Sequence, residues 1–181
     1  KSEKLEELIN DLFEYTKLTN NAVNLNRQSI SLNGLLEQLI EELVPICEKT
    51  GVTIIRNFPS HKFLVHLDPN KTVRVFENLF MNAIRYSIKP GHIEVSLKEE
   101  KGFVVISIKN KCEPVSKEEV DKLFDRFYRL DKSRSSNTGG SGLGLAIAKS
   151  IVEIQGGKIK AEYSSGYMIF NVIFNLESSR L

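Results

Sequence analysis

The spacing of apolar side chains along the chain predicts an α+β fold preceded by one amphipathic helix. A first stripe recurs every three or four residues, with one further apolar residue beside it: Leu5, Leu8, Leu12 and Tyr15, with Ile9 alongside. Because the remaining face is polar and the stripe is narrow, we favour one helix of a bundle or coiled coil over a helix that packs on its own domain. Two asparagines then break the pattern and predict a linker over residues 20–22.

Beyond this linker, segments with strand patterns and segments with helix patterns follow each other in groups. Strands are predicted at 23–30, 52–57, 63–67, 92–98, 103–109, 158–163 and 167–176. Helices are predicted at 32–49, 69–87, 116–124 and 143–155, with Ser31, Asp68 and Ser116 as N-caps. Strands that follow strands predict a two-layer sandwich, with about three helices on one face of a mixed, mainly antiparallel sheet.

Composition and charge exclude several classes of protein. The chain has 181 residues, of which 41% are hydrophobic and 27% charged, as in an ordinary globular domain. A net charge of +2 leaves no basic footprint for nucleic acid. The two cysteines, Cys47 and Cys112, have no metal-ligand spacing with the three histidines, so reduced thiols are expected. The chain begins at Lys1 within an amphipathic pattern, which predicts that the natural protein extends further toward its N-terminus.

The predicted helix at 69–87 carries one polar face with unusual chemistry. Asn78 and Asn82 lie one turn apart, Arg85 lies near the same side, and Tyr86 is four residues from Asn82. Amide oxygens suit Mg²⁺, a guanidinium suits phosphate, and an aromatic ring suits a flat base. The alternative is that both asparagines are capping or surface residues, and the helix alone leaves this open.

A glycine-rich segment, Gly139 to Leu145, directly precedes an apolar helix. Glycine allows a phosphate to approach the backbone, and the start of a helix offers N–H groups and a positive dipole. The segment matches neither the Walker A pattern nor the dinucleotide fingerprint. The first residues of this segment are also the last residues of a polar stretch over 131–142, which predicts a long, mobile loop. The alternative, a plain flexible loop, is disfavoured by the helix that follows.

A third segment, Phe124 to Arg129, joins three aromatic residues and two arginines immediately before the polar stretch. It predicts either a packed hinge whose arginines extend into solvent or a hinge that lets the loop close over a nucleotide.

These three segments, in this order, resemble the N, F and G2 boxes of the catalytic ATP-binding domain of sensor histidine kinases, a family shared with gyrase, Hsp90 and MutL. The resemblance implies that residues 1–19 end the second helix of a dimerisation and phosphotransfer bundle. It further implies that 20–22 are a linker and 23–181 the catalytic ATP-binding domain.

The resemblance also implies roles for individual residues. Asn82 is expected to ligate Mg²⁺, with Asn78 as a second ligand or the holder of a water. Arg85 is expected to contact the phosphates and Tyr86 to pack on adenine.

Arg129, in preference to Arg126, is expected to approach the γ-phosphate when the loop closes. The members of the glycine segment expected in the ATP site are Gly140, Gly142, Leu143 and Gly144.

Two departures from the family pattern modify this expectation. Where the family has Asp-x-Gly-x-Gly, this chain has Asn110 to Val115, so Asn110 accepts the hydrogen bond of the adenine amino group without charge. Weaker ATP binding is predicted. No histidine is followed by an acidic residue and a proline, so the chain is expected to bind ATP without phosphorylating itself.

The expected function is therefore that of the ATP-binding part of a two-component sensor histidine kinase. The γ-phosphoryl group passes to a histidine on bundle helices of the same or a sister chain, and then to an aspartate of a response regulator receiver domain. The parent protein is expected to be a homodimer in a membrane, with this domain in the cytoplasm. Residues 131–135 and the altered 110–115 segment also resemble the vancomycin-resistance sensors of Gram-positive bacteria.

Two alternatives remain. The first is a degenerate member of the fold that binds nucleotide poorly and serves as a docking module. The second is an ATPase of the gyrase or Hsp90 type, which is disfavoured because those enzymes carry a water-activating glutamate where Asn78 lies.

Overall fold

A computed structural model describes residues 2–130 and 140–177. Within these ranges the elements are α1 (Ser2–Thr19), β1 (Gln28–Ser31), α2 (Leu32–Thr50), β2 (Val52–Asn57), β3 (Leu64–Leu67), α3 (Pro69–Tyr86), β4 (Gly91–Glu100), β5 (Phe103–Lys111), α4 (Lys117–Asp121), α5 (Gly144–Ile154), β6 (Lys158–Ser164) and β7 (Tyr167–Asn175). No helix among the described residues combines the length and apolar character needed to cross a bilayer. The predicted mobile loop at 131–142 falls mostly outside the described residues.

The strands form one large sheet and one small one. In the large sheet the order is β2-β4-β5-β7-β6, with β2 parallel to β4 and the other pairs antiparallel. The small sheet pairs β1 with β3 in antiparallel fashion. The mixed, mainly antiparallel sheet was predicted, and the α+β fold class is confirmed.

One face of the large sheet is buried beneath α2, α3 and α5. Along β5 the burial alternates strictly, with Val104, Ile106 and Ile108 fully buried and the residues between them partly exposed. Phe76 and Phe80 of α3, both completely buried, fill the same core. The inward-facing side chains of the strands, which recur every two residues, therefore pack against the apolar faces of the helices in a single core layer, as the sequence pattern requires.

The helix starts follow from local chemistry that the sequence displays. Ser31 accepts a hydrogen bond from the Gly34 amide at the start of α2, and Asp68 accepts one from the Lys71 amide at the start of α3. Ser116 and Glu119 form the predicted capping box of α4. Side-chain oxygens at these positions satisfy amides that have no partner within the helix.

Buried polar contacts join the start of α3 to the end of α5. The Asp68 backbone N–H donates to Gln155 Oε1 at 2.7 Å, and Gln155 Nε2 donates to Thr72 Oγ1 at 3.3 Å. Asn26 N–H reaches the Asp68 carboxylate at 2.9 Å. These bonds fix α3 beside α5, so that the polar face of α3 lies next to the segment that leads into α5.

The stripe of α1 divides between two environments. Leu5, Ile9 and Leu12 are 58%, 45% and 46% exposed, whereas Leu8 and Tyr15 pack partly against the core. The helix thus packs on its own domain along one side, the arrangement that the sequence analysis disfavoured, and keeps an exposed apolar row on the other. The assignment of residues 1–19 to a separate bundle stays a prediction.

Two predicted elements are about half as long in the structure as predicted. The strand expected at 23–30 is confined to Gln28–Ser31, and the helix expected at 116–124 to Lys117–Asp121. Residues 122–128 continue as turns, in which the Leu123 and Asp125 amides bond to carbonyls three residues earlier.

Candidate functional site

The polar face of α3 and the glycine segment both line one cavity of about 410 Å³. The site residues predicted from sequence that line it are Asn78, Asn82, Arg85, Tyr86, Arg129, Gly140, Gly142 and Gly144. The structure therefore brings together two segments that are more than fifty positions apart in the chain.

Gly142 is required for two reasons. Its φ is +74°, which favours glycine, and a Cβ there would lie 2.9 Å from the Phe127 Cα. Phe127 itself has a φ of 60°, and its N–H donates to the Gly142 carbonyl at 2.9 Å. The hinge segment and the glycine segment are thus in direct backbone contact, which fixes where Arg129 enters the cavity.

Helix α5 begins at the wall of this cavity. Its N-cap residue, Leu143, supplies no side-chain cap, and Gly144 and Leu145 in the first turn line the cavity. The first amides of a helix lack intrahelical partners and carry the positive end of the dipole, so this wall suits an anion. The Leu143 side chain is completely buried and does not line the cavity, so only its backbone is placed near the site.

Three arginines contribute positive charge to the cavity, and four acidic side chains that also line it oppose this charge: Glu7, Asp11, Glu42 and Glu77. Arg74 lines the cavity together with Arg85 and Arg129, whose Nη1 lies 3.5 Å from the Gly140 carbonyl oxygen. Arg126 instead lies over the Tyr15 ring at 5.9 Å and outside the cavity, so the structure places Arg129 rather than Arg126 in the site.

None of the four acidic residues was predicted from the sequence as part of the site. Glu7 and Asp11 of α1 both line the cavity. Asp11 is 7% exposed and accepts hydrogen bonds of 2.6 Å from Arg74 Nη2 and from Ser141 Oγ. Burial lowers the pKa of Arg74, but the adjacent Glu14 and Asp11 carboxylates outweigh this and raise it, so the guanidinium stays charged.

A second cavity of about 160 Å³ adjoins the first one. Asn82, Tyr86 and Leu123 line both cavities. The residues that line the second cavity alone are Asn110, Cys112, Glu113, Pro114, Val115, Glu119, Leu130, Met168 and Phe170. The pair of cavities thus offers a polar chamber that contains three arginines, joined to a smaller chamber whose walls are mainly apolar.

Asn110 lies within the wall of the second cavity. It is 1% exposed, and neither Oδ1 nor Nδ2 has a hydrogen-bond partner among residues 2–130 and 140–177. Cys112 was not singled out as a site residue, yet it lines the same cavity, and burial raises the pKa of its thiol. A buried amide with two unsatisfied atoms indicates a ligand, because leaving such atoms unpaired costs free energy.

The donors present suit Mg²⁺ held partly by a phosphate ligand. Asn78 Nδ2 is buried with no partner in the part of the chain that the structure describes, and a Cβ on Gly144 would lie 3.4 Å from Asn78 Oδ1. Among the described residues no three His, Cys, Asp or Glu side chains cluster as a metal site. Mg²⁺ needs only one or two protein oxygens when phosphate oxygens and waters complete its shell, so two amides next to an anion site fit it.

Comparisons with known proteins agree with this geometry. A family model described as "Histidine kinase-, DNA gyrase B-, and HSP90-like ATPase" matches residues 67–178, more than half of the chain. The sensor histidine kinase WalK of Bacillus subtilis is 36% identical over 167 residues, which cover 91% of this chain and 27% of WalK. The chain therefore spans about a quarter of that relative's length.

Two solved structures share the fold. Full-length ShkA, crystallised in complex with AMPPNP, superposes with a TM-score of 0.84 at 23% identity, covering 98% of this chain and 37% of ShkA. The histidine kinase ThkA, solved in complex with the response regulator protein TrrA, has a TM-score of 0.79 at 22% identity over 99% of this chain and 49% of ThkA.

Proposed function

The chain belongs to the family of histidine kinase-, DNA gyrase B- and HSP90-like ATPases, and we propose that its two joined cavities bind ATP and present the γ-phosphoryl group to a histidine of a sensor kinase. The observation that carries this proposal is the shared wall formed by Asn82 and Tyr86. These residues connect a polar chamber that contains Arg74, Arg85 and Arg129 to a chamber with mainly apolar walls. A nucleoside triphosphate has the same division between a charged chain and a flat base.

Each chamber has a distinct task. Arg85, Arg129 and the first amides of α5 would offset the triphosphate charge, and the glycines would let it approach the backbone. Tyr86 and Phe170 would enclose the base, and Asn110 would bond to its polar edge.

Asn82 and Asn78 would hold Mg²⁺ between the chain and the phosphates. The ion supplies charge neutralisation for phosphoryl transfer. Phosphoryl transfer by this domain is thus a matter of position and electrostatics. Asn78 has no carboxylate with which to take a proton from water, so steady ATP hydrolysis is not expected.

The phosphoryl acceptor would lie outside the 181 residues. None of the three histidines lines either cavity, and none is followed by an acidic residue and proline. We propose a histidine on a helical bundle of the same or a sister chain, and then an aspartate of a response regulator. We further propose that the parent protein is a homodimer in a membrane, with this domain in the cytoplasm. Two findings support it: WalK is named a sensor histidine kinase, and ThkA was solved with a response regulator.

Titration of a fluorescent ATP analogue tests this function. Binding should require Mg²⁺, and Asn82→Ala should weaken it at least tenfold because a ligand of the ion is lost. Asn57→Ala, an exposed position on β2 outside both cavities, is the matched control and should bind as the wild type does. Binding that ignores Mg²⁺ and tolerates Asn82→Ala would count against the proposal. Labelled ATP alone should leave the chain unlabelled.

One observation favours a second candidate, a docking module of the same fold that binds nucleotide poorly. Cys112 and Pro114 line the second cavity at positions where the family carries flexible glycines, and Asn110 lacks the charge of the family's aspartate. Asn110→Asp should then strengthen ATP binding, because a hydrogen bond to an ionised acceptor is stronger than one to an amide. Equal or weaker binding by this variant would contradict that account of the segment.

A further inference from the structure

Asn110 differs from a structural asparagine in the freedom of its amide. Asn33 is also buried, but its Nδ2 donates to the His61 carbonyl at 3.1 Å and its Oδ1 accepts from the Phe63 N–H at 2.8 Å. Those bonds fix which end is oxygen. Asn110 is more deeply buried, and neither end of its amide has a hydrogen-bond partner among the residues that the structure describes.

This difference has an energetic consequence. Rotating the Asn33 amide by half a turn would break two bonds and bring like groups together. The same rotation at Asn110 breaks no hydrogen bond to the described part of the chain, and the oxygen and nitrogen ends are nearly equal in size. Asn110 can therefore present either an acceptor or a donor at the same point of the cavity.

The position of Asn110 in the wall of the second cavity places its amide beside the ligand. On β5 it is paired in register with Ile93 and Met168, so its flanks are apolar. Glu119, another polar residue of the same wall, already accepts from the Ser116 backbone N–H at 2.8 Å within its capping box. Cys112 is held neutral, since burial raises the pKa of its thiol. The buried amide is thus well placed to select the polar edge of a base.

We propose that Asn110 contacts the 6-position of a purine in either sense, accepting from a 6-amino group or donating to a 6-oxo group, so that the site takes 6-oxopurine nucleoside triphosphates about as well as ATP. This inference rests on the proposed function, because it assumes that a nucleotide base fills the second cavity. An aspartate at position 110 has acceptors only. It would favour a 6-amino group and repel a 6-oxo group.

The experiment compares the Kd values of ATP and inosine triphosphate in the presence of Mg²⁺, by displacement of a fluorescent nucleotide. Inosine triphosphate carries the 6-oxo group without the 2-amino group of GTP. For the wild type the two Kd values should lie within about fivefold of each other. Asn110→Asp should raise the preference for ATP by at least about fivefold, in the range of one charge-assisted hydrogen bond. The negative charge that Asn110→Asp adds affects the Kd values of both nucleotides equally, because both carry the same triphosphate, so it does not change the ratio of the two values.

Two further variants keep the test decisive. Asn57→Asp adds the same charge outside both cavities and should leave the ratio unchanged. Asn110→Leu, which suits the apolar flanks if the aspartate variant does not fold, should weaken both nucleotides by a similar factor.

The inference is overturned if the wild type prefers ATP by more than about fivefold. It is also overturned if Asn110→Asp leaves the ratio unchanged, or if Asn110→Leu weakens ATP alone. If neither nucleotide binds the wild type, the proposed function fails as well. Binding of ATP with a strong wild-type preference would leave that function intact and remove only this inference.

Discussion

Replacing Gly142 by alanine tests whether the contact between the hinge and the glycine segment builds the phosphate chamber. The φ of +74° alone costs an L-residue about 1 kcal/mol. The new Cβ would also lie 2.9 Å from Phe127 Cα and 3.0 Å from Phe127 C, which are backbone atoms that cannot rotate away. Overpacking of this kind costs about 1–3 kcal/mol more. We therefore expect Gly142→Ala to lower the free energy of unfolding by about 2–4 kcal/mol.

Gly166→Ala separates the two contributions. Gly166 has a φ of +85°, but a Cβ there would meet nothing within 4 Å, so this variant should lose only about 1 kcal/mol. Urea unfolding monitored by circular dichroism gives both free energies, and nucleotide titration gives both affinities. Gly142→Ala should also weaken ATP binding at least tenfold, because Arg129 and Gly140 move with the backbone, whereas Gly166→Ala should not. Equal destabilisation by the two variants, with unchanged ATP affinity, would refute the reasoning.

Three further measurements examine other parts of the molecule. Arg74→Ala leaves the nearly buried Asp11 without its cation, so the docking of α1 should weaken by about 1–3 kcal/mol. Hydrogen exchange of the backbone amides in residues 2–19 should then accelerate, and unchanged exchange would contradict this. Cys112 lines the second cavity and Cys47 lies outside both cavities, so ATP should slow alkylation of Cys112 but not of Cys47. Mass spectrometry follows each thiol, and equal protection of the two would place the base elsewhere. Hydrogen bonds from the Ser116 backbone and side chain lower the pKa of Glu119 below its ordinary value of 4.5. The contribution of ionised Glu119 to folding stability is therefore complete above pH 4.5 and is lost as the pH falls through the lowered pKa. The stability difference between the wild type and Glu119→Gln should accordingly shrink under acid in urea titrations, with Glu118→Gln as the control, and a difference that is independent of pH would be inconsistent with this origin.

The sequence predicted the elements and the site face of α3 because both depend on local periodicity. Asn78 and Asn82 had to share a face once residues 69–86 formed a helix, and Asp68 with Pro69 had to begin that helix. The buried alternation of β5 likewise follows from its period of two. The polar chemistry of these segments could be predicted for the same reason.

Other features depend on contacts distant in sequence, which periodicity does not contain. The apolar alternation after the linker suggested a strand from residue 23, but the Asn26 amide is taken by Asp68, so pairing begins only at Gln28. Glu7 and Asp11 looked like the solvent face of a bundle helix, and only the docked position of α1 places them at the cavity. Cys112 looked like an ordinary reduced thiol because its neighbours across the sheet were unknown.

The Asp11 carboxylate has a consequence for how distant parts of the chain communicate. One oxygen holds Arg74 on α3 and the other holds Ser141, which lies between Gly140 and Gly142. A rotation or retreat of the N-terminal helix therefore removes an anchor from the loop that would touch the triphosphate. If nucleotide affinity depends on that anchor, linkage requires the nucleotide to shift the helix equilibrium by the same factor. A single short side chain would then couple the N-terminal helix and the glycine segment in both directions.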